Sequence, residues 1–324
     1  MATITAALKD GKYDSSPYGN SLEASVNSIR ASVTKMGVLA FYKTWSFPKN
    51  PDYSNEFVIE SNLEMISSAS IVSNESVTGT ALVVYNHDLL AGFLSCAHLV
   101  DFPDTIFTYY DDDKTMVKTF TQKIRQQIYI SGSSGGSELE VVVFDEERDL
   151  VLLKKIMKFG ENDLKPLDIS VGSTSKLEWG SEILVLGYPL GNLMLTKGRV
   201  SIDKNINKRI LSDAMYNRGI SGSPVFAMLD GSNNLEWIGM ASSASSQTVR
   251  YLKPIEENNK SIISDKAYFG DAFIDEKRLI NYGVTYSISI DEILKFMSRN
   301  KSKIKESGFD TDLFSTSKKT IITE

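Results

Sequence analysis

The stretch GISGSPVF, Gly219–Phe226, decides how the rest of the chain is read. Ser221 stands two residues after one glycine and directly before another, and Pro224 then opens an apolar run. Glycine reaches backbone conformations closed to other residues, so this spacing fits either a tight polar loop or a turn that exposes a serine hydroxyl. A serine hydroxyl is a weak nucleophile. It needs a base within hydrogen-bond reach and a carboxylate that orients the base and stabilises its cation.

Only two histidines exist, His87 and His98, so the search for a base is narrow. His98 lies in GFLSCAHLV, where an apolar strand runs into small residues and then the imidazole. That pattern suits a ring held at the edge of a cleft, and equally a core histidine with both nitrogens satisfied. His87 sits between Asn86 and Asp88, which is turn composition, and reads as an exposed loop residue. Asp149, in ERDLVLLK, immediately precedes a Leu/Val run. It is either the orienting acid or an ordinary aspartate at a strand start, with Asp145 as a nearby competitor. GSSGG, Gly132–Gly136, would nominate Ser134, but it precedes Asp149 and lacks the following proline.

Composition bounds the class. The 324 residues are 42% hydrophobic and 23% charged, enough for one large domain or two modest ones. A net charge of -6 argues against a general nucleic-acid surface. The basic run Lys197, Arg199, Lys204, Lys208 and Arg209 reads as a solvated face. The single cysteine, Cys96, excludes an internal disulfide and fits a reducing, cytoplasmic setting. One cysteine and two histidines leave no zinc site of the usual Cys/His kind, and no cofactor is expected. The N-terminus lacks the basic start and apolar core of a signal peptide. The longest apolar stretch, Leu89–Val100, is broken by Gly92, Ser95 and His98, far short of the roughly 20 residues a bilayer span needs, so no membrane partner is expected.

Ser21–Met36 carries Leu22, Val26, Ile29 and Val33 at helical spacing. Beyond it, short runs rich in Val, Ile, Thr, Tyr and Phe alternate with turn residues. One set of strands starts at Leu63–Ser73 and ends at Leu150–Lys154. A second runs from Glu182–Gly187 to Gly283–Ser287, and Asp291–Arg299 reads as a closing helix. The expected architecture is all-β, two six-stranded antiparallel barrels with a partly helical N-terminal extension and a C-terminal helix. The expected divisions are an extension over 1–60, a first barrel over 61–165, a second over 166–300 with an insertion at 250–282, and a polar tail over 301–324.

The order SCAH, RDLVLLK, GISGSPVF resembles the chymotrypsin-like serine proteases, whose reactive residues run His, Asp, Ser along the chain. The HtrA-type, trypsin-like peptidase branch is the most similar, without a PDZ domain after the final helix. LVLGYPLGN (Leu184–Asn192), TKGRVS (Thr196–Ser201), SDAMYNRGISGSPVF (Ser212–Phe226), LEWIGMASS (Leu235–Ser243) and GVTYSISIDEILKFM (Gly283–Met297) carry the resemblance over about residues 65–300. It implies a chymotrypsin-like double barrel and peptide-bond hydrolysis, with His98 as base, Asp149 as orienting acid and Ser221 as nucleophile. It also implies an oxyanion hole from the backbone N–H groups of Gly219 and Ser221. Removing one such donor costs roughly 3 kcal/mol of transition-state stabilisation.

Departures from the pattern are informative. Ile220 stands where the digestive branch has an aspartate that pairs with a newly cut N-terminus, so activation of that kind is not expected. Ser223 takes the place of a second glycine, as in some viral and bacterial relatives of the family. Arg218 replaces a common proline. Cys96 replaces a common alanine and reads as a buried, inert thiol. Met215 corresponds to the base of the primary specificity pocket and offers no carboxylate. With Ala241, Ser242 and Ser243 it implies a pocket for small or medium apolar side chains. The expected partners are a protein or peptide substrate and an activating protein that orders the loops at Tyr188–Leu195 and Met215–Gly219. The alternatives are a protease-fold binding module without turnover, or a partner-activated protease effector in stress, antiviral or viral processing.

Overall fold

Strand alternation builds both halves of the molecule. The computed structural model describes Tyr13 and residues 22–131, 138–158, 164–201, 208–230, 235–254 and 272–310. Ser134 and the Gly132–Gly136 loop lie outside them. After α1 (Leu22–Arg30) comes a first sheet of β1 (Val33–Ser46), β2 (Ala69–His87), β3 (Leu90–Ser95), β4 (Thr105–Tyr109), β5 (Val117–Ile130), β6 (Glu140–Asp145) and β7 (Leu150–Ile156). Two short helices, α2 (Asn55–Glu60) and α3 (Leu63–Ile66), fill the β1–β2 connection. The second sheet holds β8 (Ser170–Val171), β9 (Glu182–Gly187), β10 (Met194–Ser201), β11 (Arg209–Ser212), β12 (Pro224–Met228), β13 (Leu235–Pro254) and β14 (Ala272–Ser289). Then follow α4 (Ile290–Arg299) and α5 (Lys301–Glu306).

The second sheet runs β12-β9-β10-β11-β14-β13 and closes through a β12–β13 pairing, a six-stranded barrel with β8 added in parallel outside β13. The first runs β4-β5-β1-β2-β3-β7-β6, seven strands with no pairing among the described residues between its edges β4 and β6. The fold is a chymotrypsin-like double barrel in which one barrel is closed and the other is an open half-barrel.

Four expectations change. The first sheet begins at Val33, not at residue 61, because β1 pairs along its length with both β2 and β5. Leu63–Ile66 is helical, and the two strands expected at Leu63–Ser73 and Thr78–Tyr85 are one 19-residue strand from Ala69. Within the expected insertion at 250–282, the described residues 250–254 and 272–282 extend the sheet. β13 and β14 stay in register from Ser246 opposite Ile280 out to Pro254 opposite Ala272. The polar tail is not free either, since Ile304 and Phe309 are buried, and Phe309 meets Tyr85 edge-on at 5.3 Å.

The period of two along a strand partitions the core. On β9, Leu184 and Leu186 join the large core that the first sheet shares with α4, while Ile183 and Val185 fill the closed barrel. On β12, Phe226 and Met228 face the first core, and Val225 and Ala227 the second. Both strands therefore serve two cores, and the seam between the halves is packed apolar surface. α4 is capped by Ser289, whose hydroxyl accepts from the Glu292 N–H, and buries Ile293, Phe296 and Met297 at helical spacing. Tyr13 ties the start of the chain to the second sheet by a bridge to Leu229 and a hydroxyl bond to Glu236 at 2.8 Å.

Candidate active site

β3 ends at Ser95, and the chain turns through a single 3-10 turn, Ala97–Leu99, with Cys96, Ala97 and Leu99 buried and His98 turned outward. Opposite it, the β6–β7 turn ends on Asp149. The Leu150–Leu153 run that follows is fully buried, which fixes the preceding residue at the rim of the sheet. Asp149 takes a left-handed backbone, φ +57°, a conformation that aspartate tolerates better than most residues. The Ala97 N–H donates to the Asp149 carbonyl and the His98 N–H to its carboxylate, at 3.2 and 2.9 Å. The carboxylate also faces His98 Nδ1 with both oxygens, at 2.8 and 2.9 Å. Asp145 is engaged elsewhere, by Arg148 at 2.9 Å. His87 is exposed, pairs with its neighbour Asp88 and meets the Tyr85 ring edge-on.

A third donor reaches Asp149. The Ser242 hydroxyl donates to Oδ2 at 2.6 Å. Burial alone raises the Asp149 carboxyl. The hydrogen bond and charge of His98, the Ser242 hydroxyl and the His98 N–H outweigh that and hold it below the usual carboxylate range. A carboxyl lowered in the folded state stabilises the fold above the unfolded value of about 3.9, and that contribution is lost as pH falls through the native value.

Ser221 comes from the other half. Its loop turns twice, Ile220 N–H to Asn217 and Ser223 N–H to Ile220, and is anchored by Ile220, buried among Tyr216, Ala214 and Ala241 in the closed barrel. Burying such a side chain contributes roughly 2 kcal/mol. An apolar anchor therefore stands where an ion pair would otherwise hold the loop. Ser221 Oγ donates to the Ser242 carbonyl at 2.9 Å and makes no hydrogen bond to His98. Ser242 thus touches Asp149 with its hydroxyl and Ser221 with its carbonyl, and brings all three candidates into one cleft. From sequence, Ser242 reads only as a small residue lining a pocket. Ser223 is fully buried against Gly187 with its hydroxyl unpartnered, out of reach of any substrate.

Gly219 has φ +98° and Gly222 +88°, and a Cβ on Gly222 would lie 1.9 Å from the Thr80 carbonyl. Among the described residues, the N–H groups of Gly219 and Ser221 have no acceptor. The Arg218 carbonyl is turned to the Leu190 N–H at 2.7 Å. Two unsatisfied donors beside a serine hydroxyl are what a developing oxyanion requires.

Thr80, on β2, went unnoticed in the sequence because a threonine in a strand carries no signal of its own. Its N–H donates to the Ser221 carbonyl at 2.8 Å and its hydroxyl to the Gly219 carbonyl at 2.8 Å. The same hydroxyl accepts from the Tyr188 N–H at 2.9 Å. Thr80→Val is expected to strand that carbonyl and that N–H in a buried site, at roughly 1–3 kcal/mol each. The melting temperature should fall by about 5 °C or more, and Thr80→Ser should restore it. An unchanged melt of Thr80→Val would remove this role.

The expected pocket is redistributed. Ala241 is 0% exposed and lines nothing; its carbonyl accepts from Gly222 N–H at 2.8 Å and Cys96 Sγ at 3.3 Å. Met215 is 61% exposed in the loop before the nucleophile, and Ser243 is exposed on β13. Cys96, His98 and Asp149 bring potential metal-ligand atoms within 4.8 Å of one another. Burial pushes the Cys96 thiol well above its ordinary range, so the thiolate that a metal would need is disfavoured. No helix among the described residues is long and apolar enough to cross a membrane.

A comparison with curated proteins gave no match. Among family models, that of the trypsin-like peptidase domain matches residues 79–234, a span that takes in His98, Asp149 and Ser221.

Proposed function

Residues 79–234 carry a trypsin-like peptidase domain, and from that premise we propose that the protein is a serine endopeptidase acting through His98, Asp149 and Ser221. The observation that carries the reading is the double engagement of Ser242, hydroxyl on Asp149 and carbonyl on Ser221. It joins the two halves of the candidate triad in one hydrogen-bonded network.

In the proposed reaction, the Ser221 hydroxyl rotates to His98 and gives its proton to Nε2 as Oγ attacks the peptide carbonyl carbon. Asp149 holds Nδ1–H and stabilises the imidazolium. The N–H groups of Gly219 and Ser221 donate hydrogen bonds to the oxyanion. The tetrahedral adduct collapses, the amine leaves with the proton from His98, and an acyl-enzyme remains on Ser221. Water, deprotonated by His98, then releases the acid and restores the serine. An HtrA-like, cytoplasmic enzyme acting on protein substrates is the setting that fits this reading.

A second reading, a binding module that has lost turnover, is favoured by one observation: Ser221 Oγ rests on a carbonyl and not on the imidazole. A fluorophosphonate probe separates the two. Stoichiometric labelling at Ser221, lost in His98→Ala, is expected of the peptidase. No labelling of the intact protein would leave the binding module.

For the substrate, the exposed Met215 and the absence of an acid at that position favour apolar side chains at the scissile residue. A peptide library is expected to show cleavage after small or medium apolar residues. A profile dominated by Lys or Arg would reject this assignment.

A further inference from the structure

A cavity of about 680 Å³ lies between the β6–β7 turn, β11, β14 and α4, with Asp149 and Ser242 in its lining. Five cations and three acids line it, on a chain whose net charge is -6. The acids are already engaged. Asp149 holds His98, and Glu292 holds Arg148 at 3.1 Å and Lys295 at 2.8 Å. Glu147 lies 3.7 Å from Arg148 and is largely exposed. Lys208, Arg209 and Arg299 have no acidic partner among the described residues, and neither does the Tyr286 hydroxyl have a hydrogen-bond partner there. Arg209 opens β11 and Arg299 closes α4, so two guanidinium groups from separate elements line one concavity.

We propose that this cavity is a binding site for a small phosphate-bearing polyanion. Planar guanidinium forks match phosphate oxygens two at a time, and a partly enclosed wall strengthens such contacts above what an open surface gives. The volume is that of a small-molecule pocket, typically about 300–1,000 Å³, which favours a compact phosphate over an extended acidic chain. Part of the basic run that read as a solvated face, Lys208 and Arg209, thereby acquires a function. The ligand would sit beside the carboxylate and hydroxyl that orient His98, so a regulatory role for it rests on the peptidase reading. Binding itself does not.

The test therefore uses the Ser221→Ala protein and calorimetry, with no need for turnover. Inorganic tripolyphosphate is expected to bind saturably at one site per chain. Arg209→Ala and Arg299→Ala are each expected to weaken it by about tenfold or more. Arg250→Ala, on the distant β13–β14 hairpin, is expected to leave it unchanged. A nucleoside triphosphate run in parallel distinguishes a nucleotide from a free polyphosphate as the source: tighter binding of the nucleotide assigns a base-bearing ligand, equal binding a phosphate alone. Thermal melts of the variants, expected to match the parent because both arginines are exposed, separate lost binding from lost fold. No saturable binding, binding abolished by sodium chloride at matched ionic strength, equal affinity in the arginine variants, or preference for an oligoglutamate peptide would each overturn the proposal.

Discussion

Ser221→Ala is expected to hydrolyse peptides about 10⁵-fold more slowly than the parent, or worse, with His98→Ala close behind and the double variant no worse than either. The reason is that the two residues act as one unit: without the imidazole the hydroxyl is not deprotonated, and without the hydroxyl the imidazole has nothing to activate. The residual rate would come from the donors at Gly219 and Ser221 and from binding. Stability should change little. The Ser221 hydroxyl makes one hydrogen bond, to the Ser242 carbonyl, and loss of a single neutral bond at a partly open site costs roughly 1 kcal/mol. Peptide hydrolysis and a thermal melt on the same preparation check both halves. Proteolysis by purified, folded Ser221→Ala at the parent rate would end the assignment.

Asp149→Asn is expected to cost about 10⁴-fold in turnover while leaving the backbone in place. The carboxylate accepts four bonds in this structure: two contacts with His98 Nδ1, one from the His98 N–H and one from the Ser242 hydroxyl. An amide keeps one accepting oxygen and presents an NH₂ to the ring. Nδ1 then accepts, the proton moves to Nε2, and the nitrogen facing Ser221 can no longer take one. Ser242→Ala removes only one of the four bonds and should cost far less. Turnover of both variants across neutral pH decides the matter. A loss of only a few-fold in Asp149→Asn would mean that the carboxylate is structural and that His98 is oriented by something else.

The candidate site was more legible in the sequence than the architecture around it. With two histidines in the chain, His98 was singled out by scarcity and by the small residues Ser95–Ala97 before it. Asp149 was found through the run after it. Four consecutive buried residues make a strand that serves the core on both faces, and an acid at its mouth is held at the rim. Thr80 and Ser242 gave no comparable signal, because their importance lies in hydrogen bonds over long separations: Thr80 to a backbone carbonyl 139 residues away, Ser242 from a serine hydroxyl 21 residues away and to a carboxylate 93 residues away. β1 was hidden for a related reason. Lys35, Gly37 and Lys43 interrupt its apolar pattern, and its place between β2 and β5 is fixed by pairing partners that no local window contains. In α5 the alternating lysines mask Ile304, so average polarity concealed an anchor. Ala241 is a different case: it sits where a correspondence placed it along the chain, but its side chain points into the barrel.

The chain crosses itself at its two ends. Tyr13 grips the closed barrel, while α4 leaves that barrel and the segment through α5 to Phe309 clasps the open sheet at Tyr85. Since the candidates His98 and Asp149 ride on one half and Ser221 on the other, these two clasps reinforce, from outside, the packed seam that holds the candidate groups opposite one another.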